Sequence, residues 1–560
     1  MVAIPENTLQ WSDYEGRYAE LASTELSSDN VQAWLQAWSD LHDELDELGS
    51  RIYVAKTVNT ADEASSKAYD AFLSDIYPPM AQAEQGLKTL LLASALEPAG
   101  FEVPLRNMRS EAALFRDENV PLQSEEMSVS SQYADIVGAQ TVQWDGEERT
   151  VTQLSKELQG QDRARRETAW RTISTRQLED RQAINEVWSK LLALRLPQAA
   201  HAGYPDYRTY RWEQFQRFDY TPEDCRRFHD AILSEVVPLA AEMMEARRTA
   251  LGVETLRPWD LDVDPAGREG LRPFNTVDEF IEKTQSAIDK VDAELGAYYR
   301  TMRDEGLLDL ENRKNKAPGG YCTTFAKVRL PFIFMNAVGK QSDVRTLVHE
   351  LGHAFHAFEA GKLPLSHQQS YNIEFAEVAS MSMELLAGTF MRVEDGSFYD
   401  EESFRRAWTE HIQKVVLFFP YMAVVDAFQH WVYANPEAAA NPAKCDAEWS
   451  ALYGKFLPWE DWTGFESALA TGWHRKLHIH EIPFYYVEYG IAQLGALQVY
   501  ANFRRDRAAA VRDYRNGLAL GGTVTLPEMF AAAGAKFAFD ADTVRGLMSL
   551  CREVLAENAN

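Results

Sequence analysis

Two histidines four residues apart with a glutamate between them, in Val348-His349-Glu350-Leu351-Gly352-His353, are the strongest chemical signal in the chain. On a helix, residues four apart share a face, so both imidazoles can meet one metal ion while Glu350 lies beside it. Imidazole nitrogen suits zinc, and a catalytic zinc keeps one position for water that a neighbouring carboxylate can deprotonate. The chain has 12 His and 85 Asp+Glu in 560 residues; shuffled, it gives fewer than about 0.04 such patterns. Chance is a poor explanation.

A catalytic zinc needs a third protein ligand. The metzincin extension is excluded, because Glu359 and His356 stand where that pattern needs histidine and glycine. His356 lies about a turn below the pair, and one straight helix cannot wrap three ligands tetrahedrally around an ion, so His356 reads as a packed neighbour. The next helical stretch, Asn372 to Leu386, offers Glu374, Glu377 and Glu384 among apolar and small residues. Acids are rarely buried there unless paired or bound to metal. Glu377 lies mid-helix, flanked by Ala376 and Ala379, small residues that would let the backbone approach the metal helix closely. Glu384, on the same face, is expected to hydrogen-bond a ligand histidine, and Glu374 to favour the helix dipole.

Ala317-Pro-Gly-Gly-Tyr-Cys322, Pro331-Phe-Ile-Phe-Met-Asn336, Asp343 to His356 and Phe375-Ala-Glu-Val-Ala-Ser-Met-Ser-Met-Glu384 follow one another in that order. With Leu477 to Leu494 added, this set resembles the thimet oligopeptidase and oligoendopeptidase F family of zinc metallopeptidases over most of residues 200–540. The resemblance implies one zinc per chain on His349, His353 and Glu377, with Glu350 as general base. It also implies a mostly α-helical shell in two lobes around a deep channel, and short unstructured oligopeptides as substrates. The lobes are expected at 1–185 and 186–560.

In the carboxy-terminal segment, Pro483 can open a helix on which Tyr485 and Tyr489 share a face. Phenol hydroxyls aimed at a peptide carbonyl can stabilise an oxyanion. The resemblance assigns that role to a histidine followed by tyrosines, matched here by His478, Tyr485 and Tyr489, with His480 and Tyr486 as competitors.

The elements that must position these groups are mostly helices. Trp34, Leu35, Trp38, Leu41, Leu45 and Leu48 make an amphipathic helix over 30–48 that Gly49 should stop. Thr221-Pro222-Glu223-Asp224 opens a helix reaching Gly252, and Thr276 with Glu279 opens one ending before Gly306. Residues 150–195 form a charged helical stretch. Tyr321 to Phe325 and Pro331 to Met335 are β-prone and can pair as a small antiparallel ribbon after the Pro318-Gly319-Gly320 turn. The second of these is expected to be an edge strand to which an extended peptide adds.

The net charge of −29 repels a phosphate backbone and argues against a nucleic-acid partner. The longest apolar run, Val415 to Val425, contains Pro420 and is far below the ~18 residues of a membrane span. The first twenty residues lack the basic start and apolar stretch of a secretory signal. Cys225, Cys322, Cys445 and Cys551 are scattered without a C-x-x-C pair, as in a reducing compartment, and the expected location is cytoplasmic. A helical zinc carboxypeptidase is the alternative enzyme, but it needs a cation for a terminal carboxylate. A helical scaffold with a structural or degenerate zinc site is the non-enzyme alternative. It fits less well, because two His and one Glu leave a water position and Glu350 is retained. The oligomeric state is open.

Overall fold

A computed structural model describes residues 10–558; residues 1–9, part of the segment that bears on a secretory signal, lie outside them. Helices dominate. Contacts divide the chain into two compact units, each assembled from three stretches. The first comprises Met1–Ala112, Gly270–Trp408 and Ile491–Phe537; the second comprises Ala113–Glu269, Thr409–Gly490 and Ala538–Asn560. These seams fall elsewhere than the 185/186 division expected from sequence.

In the first unit, α1 (Val31–Val58) buries Trp34, Leu35, Trp38, Leu41, Leu45 and Leu48, the stripe read from their spacing. The helix runs through Gly49 instead of stopping there. A Cβ at Gly49 would stand 2.8 Å from the Phe72 ring, so this glycine makes room for an aromatic rather than ending a helix. The Thr276 hydroxyl caps its helix by accepting from Glu279 N–H, but the helix ends at Val291. Asp292 then caps a separate one, Ala293–Asp304, by accepting from the N–H groups of Glu294 and Leu295. An aspartate able to cap interrupts what periodicity alone reads as continuous.

The second unit opens its hairpin with β1 (Thr141–Trp144) and β2 (Glu147–Thr150). The charged stretch that follows is broken: short helical segments at Val151–Leu154 and Ser155–Gln159 precede two longer helices, Arg163–Glu179 and Arg181–His201, joined at Asp180. Thr221 caps the helix that starts at Pro222. That helix continues to Leu251 through a π-helical segment, Ile232–Val236, placed just ahead of Pro238. The wider turn accommodates a residue that has no N–H to return to the preceding turn.

The site-bearing sheet belongs to the first unit. It consists of β3 (Leu308–Glu311), β4 (Tyr321–Phe325) and β5 (Leu330–Ala337) in the order β3-β5-β4. The β4–β5 ribbon is antiparallel, as expected. β3, too short and too acidic to stand out in the sequence, adds in parallel on the other side of β5. Pro331 to Met335 is therefore central, not an edge. Its residues are almost all buried, and a strand apolar on both faces goes to the middle of a sheet. Pro331 is tolerated because the β3 pairing begins only at Ile333. The edge strands are β3 and β4.

From β5 a short turn enters α2 (Gln341–Ala360), whose first-turn Asp343 carboxylate accepts from Val338 N–H at 2.7 Å and Lys340 N–H at 2.9 Å. α3 (Ile373–Gly388) crosses it at Gly352, where an added Cβ would lie 2.4 Å from Ser380 Cα and 2.6 Å from the Ala379 carbonyl. The Tyr514 hydroxyl donates to that same carbonyl at 2.9 Å. α4 (Glu401–Ala434) carries the apolar run around Pro420. Among the described residues it is the one helix apolar and long enough to cross a membrane, and 72% of its most apolar window is buried in the protein.

Backbone meets backbone at Gly352, so no side chain can yield there. Gly352→Ala should lower stability by about 1–3 kcal/mol, the usual cost of overpacking, and reduce the thermal midpoint. A midpoint equal to the parent's would show that α2 and α3 part without cost.

Candidate metal centre and active site

On α2, His349 and His353 present their rings 5.0 Å apart at 84° to each other. The carboxylate of Glu377 on α3 faces both: Oε2 lies 3.5 Å from His349 Nε2 and Oε1 lies 4.0 Å from His353 Nε2. These three residues offer ligand atoms all within 4.8 Å of one another. Gly352 permits the arrangement, because it lets the backbone of α3 come against α2 one residue before His353. Ser380 Oγ donates to Glu377 Oε2 at 3.0 Å and fixes the carboxylate's rotation. The Nδ1 of His349 is engaged by Glu384 Oε1 at 2.7 Å, which leaves Nε2 as its ligating nitrogen.

Charge explains what this group can hold. Burial alone lowers His349, but the Glu384 hydrogen bond and the carboxylates of Glu377 and Glu350 outweigh it and raise the group to about 9. Burial, then proximity to His349, lowers His353 to about 3, so its ring is neutral with a free lone pair. Burial raises Glu377 and carries Glu350 to about 6, while His349 opposes both shifts. Partly desolvated carboxylates around a histidine that seeks a positive charge make a site for a cation. Imidazole, imidazole and carboxylate, with both rings about a quarter exposed, fit zinc with an accessible open position.

Other residues singled out by spacing go elsewhere. Glu374 is buried in the first turn of α3, outside the ligand group. His356 is fully buried and stacked on Tyr371 at 3.4 Å between ring centres. A second cluster, Cys225, Asp426 and His430, is buried in the second unit. In it Asp426 Oδ2 meets His430 Nε2 at 3.3 Å and, outside the group, His229 Nε2 at 2.8 Å.

The carboxy-terminal segment differs from its sequence reading. Leu477–Glu481 is one short helix, Pro483 lies in a turn, and α5 (Val487–Arg505) begins at Val487. Tyr485 therefore precedes the helix that carries Tyr489, and the two do not share a helix face. Their rings nevertheless lie 5.5 Å apart, with His478 5.9 Å from Tyr485 and 6.1 Å from Tyr489. Burial, then Lys476, lowers His478 to about 4, so its ring is neutral. The competitors are core residues. His480 is fully buried and stacked on Tyr133 at 4.2 Å; Tyr486 is buried beneath Lys476 Nζ at 3.8 Å.

Sequence reasoning missed three contributors. Ser380 gives no signal apart from standing three residues after Glu377. The backbone N–H of Cys322, on β4, bonds to Glu350 and works against the upward shift from burial. The buried pair of Arg217 Nη2 and Glu488 Oε1, 2.6 Å apart, joins residues 271 positions apart, beyond any local pattern.

Oligopeptidase PepF of Bacillus subtilis (strain 168) is 28% identical over 163 residues, 28% of this chain and 23% of its own length. An oligoendopeptidase F homolog of Mycoplasma pneumoniae is 32% identical over 142 residues, 24% of this chain and 22% of its own. The matched stretch thus spans less than a quarter of either relative. The likeness in structure is broader: PZ peptidase A, solved with an inhibitor, superposes with a TM-score of 0.86 at 25% identity, covering 99% of this chain and 98% of that one. The model of peptidase family M3 matches residues 158–549, which hold the ligand group, Glu350, the sheet and the tyrosine segment, and the chain belongs to that family.

Proposed function

We propose that this protein is a zinc-dependent endopeptidase that hydrolyses short, unstructured oligopeptides. The observation that carries the reading is the convergence of His349 Nε2, His353 Nε2 and the Glu377 carboxylate beside Glu350. His349, His353 and Glu377 would hold one zinc ion per chain, which would supply Lewis acidity toward water and the scissile carbonyl. The relatives' names, oligopeptidase and oligoendopeptidase, support the choice of substrate. No disulfide joins Cys225, Cys322, Cys445 and Cys551, which supports a reducing, cytoplasmic location.

The residues divide the work. Glu384 holds His349 in the tautomer that leaves Nε2 free, and Ser380 holds Glu377 in rotation. Glu350 takes the proton of the attacking water on a carboxylate oxygen and passes it to the departing amine. The outer edge of β4 offers N–H and C=O groups to an extended peptide, which would add as a further strand. That mode of binding reads backbone rather than side chains and gives broad sequence tolerance. His478, Tyr485 and Tyr489 donate hydrogen bonds to the oxyanion as it forms.

Glu377→Gln should cut zinc content or activity by more than the ~10-fold typical of a residue that merely orients a ligand. Full zinc and full activity in Glu377→Gln, with both lost in Glu374→Gln, would refute the ligand assignment. Glu350→Gln should keep its zinc and lose turnover of an internally quenched peptide by several orders of magnitude; near-normal turnover with metal bound would remove it as the base. Tyr485→Phe or Tyr489→Phe should lower kcat by about 10²–10³-fold with a smaller change in KM. If both Phe variants keep kcat within about threefold of the parent, the phenols are packing residues. Product mapping on a peptide blocked at both ends separates internal cleavage from a carboxypeptidase.

A further inference from the structure

We propose that Arg217 is a positioning residue for the tyrosine segment, holding Phe484 and Glu488 so that Tyr485 and Tyr489 stand where the reaction needs them. The inference rests on the reading that these phenols act on the substrate. It begins with a strained residue. Phe484 has φ +68°, a left-handed conformation that a residue bearing a Cβ holds only where its surroundings over-determine it.

The surroundings of Phe484 do so on three sides. Its N–H donates to Gln429 Oε1 at 2.7 Å, and its carbonyl accepts from Arg217 Nη2 at 2.7 Å. Its ring is fully buried, 5.3 Å from Trp212, 5.2 Å from His430 and 5.3 Å from Tyr433. The same Arg217 Nη2 donates to Glu488 Oε1 at 2.6 Å. One nitrogen thus grips the residue immediately before Tyr485 and the residue immediately before Tyr489.

The guanidinium is itself immobilised. Its side chain is 0% exposed and that of Glu488 is 2% exposed. Arg217 also lies over the rings of Trp212 at 4.7 Å and Phe215 at 4.5 Å. A planar fork clasped between aromatic faces sets direction as well as charge, which an ammonium cannot do. A buried ion pair is often replaceable by apolar residues at no loss of stability. What this one adds is geometry: it joins a strained turn to the first turn of a helix, with a tyrosine next to each anchor.

The test uses the zinc-loaded full chain and one internally quenched peptide. Arg217→Met combined with Glu488→Gln removes both charges together, so neither is left buried and unpaired. The expected result is kcat reduced by about tenfold or more, KM within about threefold, and zinc content unchanged. In a Tyr485→Phe, Tyr489→Phe background the same pair of changes should cost less than about threefold, because the groups it positions are gone. An equal cost in both backgrounds, or an unchanged kcat in the parent background, overturns the proposal. Tyr→Phe variants as active as the parent overturn the oxyanion reading instead; with a kcat loss still present on changing Arg217, they overturn the positioning role too. Should the double variant fail to fold, Gln429→Met removes only the acceptor of the Phe484 N–H. It should give the same split between kcat and KM and the same dependence on the tyrosines, at a smaller factor; a KM effect or no effect counts against the proposal.

Discussion

Three carboxylates brought close to two imidazoles where α2 and α3 cross constitute the constraint on which the rest of the site depends. Glu350 and Glu377 are each less than a tenth exposed. A carboxylate out of water costs several kcal/mol unless something positive or hydrogen-bonding answers it. His349 and Ser380 answer part of that demand, and Cys322 N–H part of it for Glu350. A divalent cation held by His349, His353 and Glu377 would answer the remainder. The packing of the two helices and the fitness of the site for a metal are thus one property, because the backbone contact at Gly352 that shortens the distance between them also sets the depth at which Glu377 is buried.

That coupling explains which parts of the site were legible in the sequence. His349, Glu350 and His353 are fixed by helical phase, which needs only four residues to reveal itself. Glu377 and Glu384 were readable because acids in an apolar helix must have partners, and phase again relates them. The α1 stripe and the Thr221 cap were readable for similarly local reasons. The failures are those in which a distant neighbour overrides a local signal. Gly49 reads as a stop until Phe72 is seen to lie over it. Pro331 to Met335 reads as an edge until β3, a strand of four residues with two acids, pairs beside it. Pro483 reads as a helix start until the fit of the Phe484 ring against Trp212, His430 and Tyr433 holds it in a turn.

The position of β4 at the sheet edge changes how the substrate is pictured. β4, whose Cys322 N–H bonds to Glu350, is linked directly to the residue proposed as the base, whereas a central β5 would be separated by a full strand from a peptide added outside β4. An extended peptide hydrogen-bonded along β4 would have its own carbonyls in register with that strand, at the two-residue period of a ladder. Register along β4, rather than side-chain recognition, then decides which peptide bond is presented. Tyr321, whose hydroxyl is 2.6 Å from Thr57 Oγ1, fixes the start of β4 to α1. α1 would therefore help to fix that register although it carries none of the candidate ligands.

The two sets of chemical groups are built on different principles. The ligand group stands on helices, where phase and a glycine contact suffice and the backbone is unstrained. The tyrosines stand at a loop and the helix it enters, and their placement requires a left-handed phenylalanine held by hydrogen bonds on both sides and a buried guanidinium. Helices place residues at intervals of one turn and in fixed directions. Such intervals suit ligands four apart, but Tyr485 and Tyr489, with rings 5.5 Å apart, are not placed by helical phase. A strained turn supplies the missing freedom of direction, and strain persists only where neighbours hold it in place. The conformational cost of Phe484 follows from that geometric demand. For the same reason the tyrosine segment needs a buried ion pair reaching 271 residues along the chain, while the metal ligands need only neighbours on two successive helices.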